Sequence, residues 1–138
     1  TVALLKSGDF SQLDIEHLIA ELEDMGRSER NELENRLTVL IAHLLKWQFQ
    51  YQQLSDQWKE FDGRSWRHAI IEQRTRIAKR LRQSPALKSV WSEILIEAYE
   101  DAVELARKET GLPAETFPAV CPYSSEQILS DDYYPPME

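Results

Sequence analysis

Three histidines and a surplus of carboxylates are the side chains in this sequence that could ligate a metal or move a proton. His17 precedes Glu21 by four residues and His68 precedes Glu72 by four, which places each pair on one face of a helix. A carboxylate-bundle metal site asks instead for a Glu three residues before each liganding His. Leu40 and Ser65 stand at those positions before His43 and His68, and only Asp14 precedes His17. No metal site is therefore expected. His43, close to an apolar stripe, reads as a core-edge histidine hydrogen-bonded to a neighbour. Glu21, Asp24, Glu29 and Glu32 could face Glu97 and Asp101 and hold magnesium for phosphate cleavage. A chain with 24 acidic residues offers such spacings freely, so a solvated acidic face is the preferred reading. Cys121 lies shortly before a helix start at Ser124, which can lower a thiol pKa, but no histidine is near it in sequence. It reads as a packed or exposed thiol. Four isolated glycines cannot form a phosphate-cradling loop, and no cofactor and no catalytic set is expected.

The basic residues are more asymmetric. From Arg64 to Lys88 the chain carries eight bases and one acid, Glu72. Asp9 to Arg36 holds nine acids and three bases, and Glu93 to Glu138 holds eleven acids and two bases. Two readings follow. A basic helix can lie beside acidic ones, each surface pair stabilising by about 0–1 kcal/mol but selecting which helix is neighbour to which. Alternatively Arg64, Arg67, Arg76, Lys79, Arg80 and Arg82 form a phosphate-binding strip, with Trp66 to stack on a base. The net charge of −8 opposes the second reading. Arg74 falls on the inner stripe between Ile70 and Ile77, so it needs a partner if buried. A carboxylate such as Glu21, Asp24 or Glu97 is the expected one.

These side chains need a scaffold, and the pattern supplies helices. The chain has 138 residues, 42% of them hydrophobic and 29% charged, within the range of one domain. A single cysteine excludes an intramolecular disulfide and suits a reducing compartment, and no apolar run reaches membrane-span length. The expectation is a soluble cytoplasmic protein with no membrane partner. Val2 to Leu5 reads as a helix end closed by Gly8, and the polypeptide as made is expected to start earlier. Asp14 caps a helix with Ile15, Leu18, Ile19, Leu22 and Met25 on one face; Gly26 and Ser28 break it, or it runs on with a flaw of about 1 kcal/mol. Leu33, Leu37, Leu40, Leu44, Trp47 and Tyr51 give the strongest periodicity and a helix over residues 29–52. Gln53 to Gly63 is loop-like, with Leu54, Trp58 and Phe61 packed down or available to a second copy. Ser65 caps a third helix with Trp66, Ile70, Ile77 and Leu81 inward, stopping at Ser84-Pro85. A fourth runs from Leu87 through Trp91, Ile94, Leu95, Ala98, Ala102, Leu105 and Ala106 to Thr110-Gly111. Ser124 and Gln127 have capping-box spacing, and Tyr133 to Pro136 lie across the bundle. The fold expected is all-α: a compact antiparallel bundle of about four main helices with an ordered, proline-containing tail.

Leu13-Asp-Ile-Glu-His-Leu18, Glu21 to Arg30 and Leu40 to Trp47 resemble an uncharacterised bacterial family, domain of unknown function family twenty-nine, common in cyanobacteria. The resemblance continues through Ser65-Trp66, Ile71 to Arg74, Ser84-Pro85, Tyr99, Phe117-Pro118, Cys121 to Tyr123, Glu126 to Leu129 and Asp132 to Pro135. It implies a compact helical domain covering 1–138, cut short at its start, and brings with it no established activity, cofactor or partner. Tyr133 and Tyr134 stand where the resemblance implies a Phe-Trp type pair. Among the polar positions of the matched motifs, Glu21, Asp24, His43, Glu72 and Arg74 form a candidate polar pocket if the first three helices pack together. The functional expectation is a non-enzymatic interaction or regulatory module with a protein partner. Nucleic-acid binding through the third helix and a metal-dependent phosphate-cleaving enzyme are the alternatives. The oligomeric state is open.

Overall fold

The structure is a computed structural model that describes residues 12–138; the reading of Val2 to Gly8 as a helix end lies outside these. Helix α1 spans Gln12–Phe49, α2 Tyr51–Gln57, α3 Arg64–Gln83, α4 Trp91–Thr110 and α5 Ser125–Leu129. Short 3-10 turns occupy Pro85–Val90 and Ala114–Thr116. No strand occurs among the described residues.

Of the two readings at Gly26, the continuous one holds, and a single helix spans both stretches. Gly26 lies inside α1, and a Cβ built on it would meet nothing within 4 Å. The local penalty of about 1 kcal/mol is thus too small to break a helix with helix-forming residues on both sides. Replacing Gly26 with alanine is expected to slow amide hydrogen exchange of α1 residues 20–28 by about fivefold, the equivalent of that penalty. Unchanged exchange there would contradict it.

Around α1 the other helices pack by the stripes their sequences carry. Leu33, Leu37, Leu40, Ile41, Leu44 and Leu45 are fully buried, together with Ile70 and Ile77 of α3 and Ile94, Ala98, Ala102 and Ala106 of α4. The alanines of α4 recur every fourth residue, so this helix offers α1 a ridge of small side chains. Charge then fixes the order. Arg80 reaches Glu32 (2.9 Å) and Glu29 (3.9 Å), joining the end of α3 to the early part of α1. Arg30 reaches Glu93 and Glu97 at 3.5 Å, joining α1 to the start of α4. Lys46 pairs with Glu109 at the far end of the same two helices. Helix α3 therefore runs antiparallel to α1, and α4 runs parallel to it.

Four boundaries differ from the sequence expectation. Asp14 lies inside α1, which already includes Gln12, rather than capping it. Gln53 to Gln57 is helical, continuing α1 after a break at Gln50, so the loop begins at Trp58. Helix α3 is capped by Gly63 in the left-handed region (φ 68°), not by Ser65, and the Asp62 carboxylate accepts the Arg64 N–H at 3.0 Å. The fourth helix opens as a 3-10 turn before becoming α-helical at Trp91. The capping box on α5 forms as expected, with Ser124 Oγ accepting from Gln127 N–H and Gln127 Oε1 accepting from Ser124 N–H.

The tail is ordered against the bundle. Phe117, Tyr123 and Ile128 join the buried core. Tyr123 Oη donates to Gln48 Oε1 (2.7 Å), and the Glu138 N–H donates to the Gln48 carbonyl (2.7 Å). Tyr134 stacks beside Trp47 at 4.8 Å between centroids.

Candidate interaction surface

Helix α1, with 38 residues, is about 57 Å long, nearly twice the length of either 20-residue partner. Its ion pairs to α3 and α4 begin at Glu29 and Arg30, and its first fully buried residue is Leu33. The stretch from Gln12 to Ser28 thus projects about 25 Å beyond the bundle. Every residue from Ile15 to Ser28 is exposed.

The projecting half keeps the core stripe. At 100° per residue, Ile15, Leu18, Ile19, Leu22 and Met25 point in the direction of Leu33, Leu37 and Leu40. They are 39–60% exposed, whereas those three leucines are 0% exposed. The same face that builds the core therefore continues, uncovered, for about 15 Å. A contiguous apolar strip of this kind marks a contact surface far better than scattered apolar residues do. Its edges carry Asp14 and Glu21 on one side and Glu16 and Glu23 on the other, while Asp24, on the opposite face, is paired with Arg27. His17 pairs with Glu21 at 3.2 Å on the exposed side.

The five residues of the candidate polar pocket do not meet. Glu21 lies on the projecting helix, eight residues or about 12 Å before Glu29. Arg74 lies six residues, about 9 Å, along α3 from Arg80 in the opposite direction. Its Nε donates to the Ile128 carbonyl (2.9 Å) and its Nη2 to the Gln127 carbonyl (3.1 Å). The expected carboxylate partner is thus replaced by the backbone end of α5, and the guanidinium also lies over Tyr134 at 5.6 Å. Glu72 pairs with Arg76 on the outer face at 3.1 Å. Asp24 lines a shallow groove with Arg27, Ser28, Asn31, Glu32, Asn35, Arg36 and Val39, all from the outward side of α1.

His43 is half-buried and shares a 2.7 Å hydrogen bond with the Val39 carbonyl, as a core-edge histidine does. Burial holds its pKa below the ordinary value of 6.5, with a further push from the Lys46 charge. The folded state thus favours the neutral ring more than the unfolded chain does, although the hydrogen bond to Val39 works the other way. Stability is therefore lost as pH falls below about 6.5 toward the lowered value. Urea unfolding between about pH 7 and about pH 5 is expected to show a steeper loss for the parent than for His43→Gln. Equal slopes would contradict it.

The basic helix is largely occupied. Arg64 pairs with Asp62 (3.3 Å), Arg76 with Glu72, and Arg80 with Glu29 and Glu32. Arg67 lies over the rings of Trp47 (5.7 Å) and Tyr134 (6.0 Å). Lys79 and Arg82 make no ion pair among the described residues. Trp66, the side chain suited to base stacking, packs against Tyr51 and Phe61 instead.

The sequence left the partners of two charged sites unassigned. Lys46 is 6% exposed, held by Glu109 and lying 5.9 Å from the Trp66 ring, and burial lowers its pKa. Glu34, not Glu29 or Glu32, is the α1 acid that meets Glu97 and Asp101, and burial followed by those two charges raises its pKa. Among the described residues no group of three or more His, Cys, Asp or Glu is placed to hold a metal ion. Burial raises the pKa of the Cys121 thiol, against the direction a nucleophile needs. No described helix is long and apolar enough to cross a membrane.

The sequence model of the family described as Domain of unknown function DUF29 matches residues 1–134. No curated protein and no solved structure matches the chain.

Proposed function

The chain belongs to the DUF29 family, and from that premise we propose that it is a cytoplasmic, non-enzymatic interaction module whose working surface is the projecting half of α1. The single observation behind this reading is the exposed strip Ile15, Leu18, Ile19, Leu22 and Met25, which continues the core face with nothing from the described bundle packed upon it. A helix that presents anchors at three- and four-residue spacing is one half of a helix–helix contact, and the geometry for docking a second helix is preformed. The dispersal of the acids and histidines, with no three of them gathered to hold a metal ion among the described residues, supports a binding role over a catalytic one. Nucleic-acid binding through α3 draws less support, because Trp66 is packed and most of the arginines are engaged.

Pull-down from cell lysate tests the reading when the parent is compared with a Leu18→Gln/Leu22→Gln variant. These changes remove apolar surface without adding charge. Proteins retained by the parent and lost by the variant are expected; identical sets from both would contradict it.

A further inference from the structure

The partner's chemistry can be read from the flanks of the exposed strip. Between Asp14 and Asp24 the projecting helix carries five acidic residues, no lysine or arginine, and one histidine. An occupant of the apolar strip must lay its own flanking side chains beside the carboxylates at its edges. A second copy of this helix would bring its own edge acids, Glu21 and Glu23 among them, to the same place, and like charges held in contact oppose association. An anionic lipid surface is repelled for the same reason. The remaining match is a helix with an apolar stripe of similar length bordered by lysine or arginine. Its bases would gain partners along both edges while its stripe covers Ile19 and Leu22.

We propose that the projecting half of α1 docks a cationic amphipathic helix of a partner protein, with Ile15, Leu18, Ile19, Leu22 and Met25 as the apolar contact and Glu21 and Glu23, one on each edge, as the charge selectors. This rests on the reading of the strip as an interaction surface and adds the chemistry of what it takes. The contact area is one helix face about 15 Å long, so the complex is a transient one that forms quickly and weakens with salt.

Fluorescence anisotropy with two labelled helical peptides of about eighteen residues provides the test. One has leucines at three- and four-residue spacing bordered by lysine; the other has the same leucines bordered by glutamate. The expected result is binding of the leucine–lysine peptide alone, falling with added salt. It weakens at least about tenfold in Leu18→Gln/Leu22→Gln, and measurably in Glu21→Gln/Glu23→Gln. All four positions are exposed, so the bundle is retained in both variants, which circular dichroism checks. Equal or preferential binding of the leucine–glutamate peptide overturns the charge selection while leaving the strip an interaction surface. Lysine-peptide binding unchanged by Leu18→Gln/Leu22→Gln places the contact elsewhere and overturns the proposal. A parent dimer in sedimentation that this variant dissolves assigns the strip to a second copy and also overturns it. So does binding of neither peptide. If, in that case, lysate capture also fails to distinguish parent from variant, the broader reading falls too.

Discussion

Replacing Arg74 with methionine is expected to lower the unfolding free energy by about 3 kcal/mol and the thermal midpoint by about 12 °C. Arg74 is 3% exposed, and its two donated hydrogen bonds end on the carbonyls of Gln127 and Ile128, the last turn of α5. A helix of five residues cannot hold itself, so these donors fasten the tail to α3. Methionine replaces the aliphatic stem but offers no donor. Two carbonyls left without their partners in a buried setting cost about 1–3 kcal/mol each. One relief opposes this: Arg74 Nη1 has no hydrogen-bond partner in the folded chain, so its removal returns about 1 kcal/mol. The net is a loss. Hydrogen exchange over residues 124–138 is expected to accelerate more than that of α4. A variant as stable as the parent would mean that burial of the guanidinium outweighs its hydrogen bonds.

The Gly63→Ala substitution is expected to cost a similar amount, about 3 kcal/mol, for a different reason. Gly63 caps α3 at φ 68°, a region that costs an L residue about 1–2 kcal/mol. Its missing Cβ is also the space occupied by the edge of the Tyr51 ring, with Trp47 close behind. Tyr51 in turn packs on Trp47 (4.6 Å), Phe61 (5.0 Å) and Trp66 (6.3 Å), so it has little freedom to retreat. Overpacking of that kind adds about 1–3 kcal/mol. Gly111 separates the two effects. It has φ 73° but open space around its Cβ position, so Gly111→Ala is expected to cost only about 1 kcal/mol. Denaturant unfolding of both variants checks the difference, and equal losses would contradict the steric part. In the folded Gly63→Ala protein, near-ultraviolet circular dichroism of the Trp47–Tyr51–Trp66 cluster is expected to change as well.

The stripe from Leu33 to Trp47 could be read directly from the sequence, because a face of large apolar residues at three- and four-residue spacing has few other uses. The inward residues of α3 and α4 were legible for the same reason, as were the stops at Ser84-Pro85 and Gly111. Periodicity reports which way a side chain points, however, and not whether anything lies opposite. Leu18 and Leu22 carry the same signal as Leu37 and Leu40, yet the former are exposed and the latter buried. What decides between them is where α3 ends and α4 begins, a property of other parts of the chain. The continuity of α1 through Gly26 turned on a balance of about 1 kcal/mol, which spacing alone does not settle. Arg74 was correctly marked as needing an internal partner, but its partners are backbone carbonyls, which every residue has and which leave no trace in a sequence. The burial of Lys46 had a faint signal, since it sits between Leu45 and Trp47 in a segment apolar on nearly every side. Pairing of basic α3 with acidic α1 was visible as a charge pattern. The particular pairs, Arg80 with Glu29 and Glu32, required the antiparallel register.

The account stands or falls on the strip of α1 being uncovered in the folded chain. The thermal midpoint of the Leu18→Gln/Leu22→Gln variant measures this most directly. Two exposed leucines replaced by glutamine leave the bundle as it was, so a midpoint within about 2 °C of the parent is predicted. Buried leucines replaced in this way would lose several kcal/mol, and a midpoint lowered by about 10 °C or more would show that the strip is part of the core.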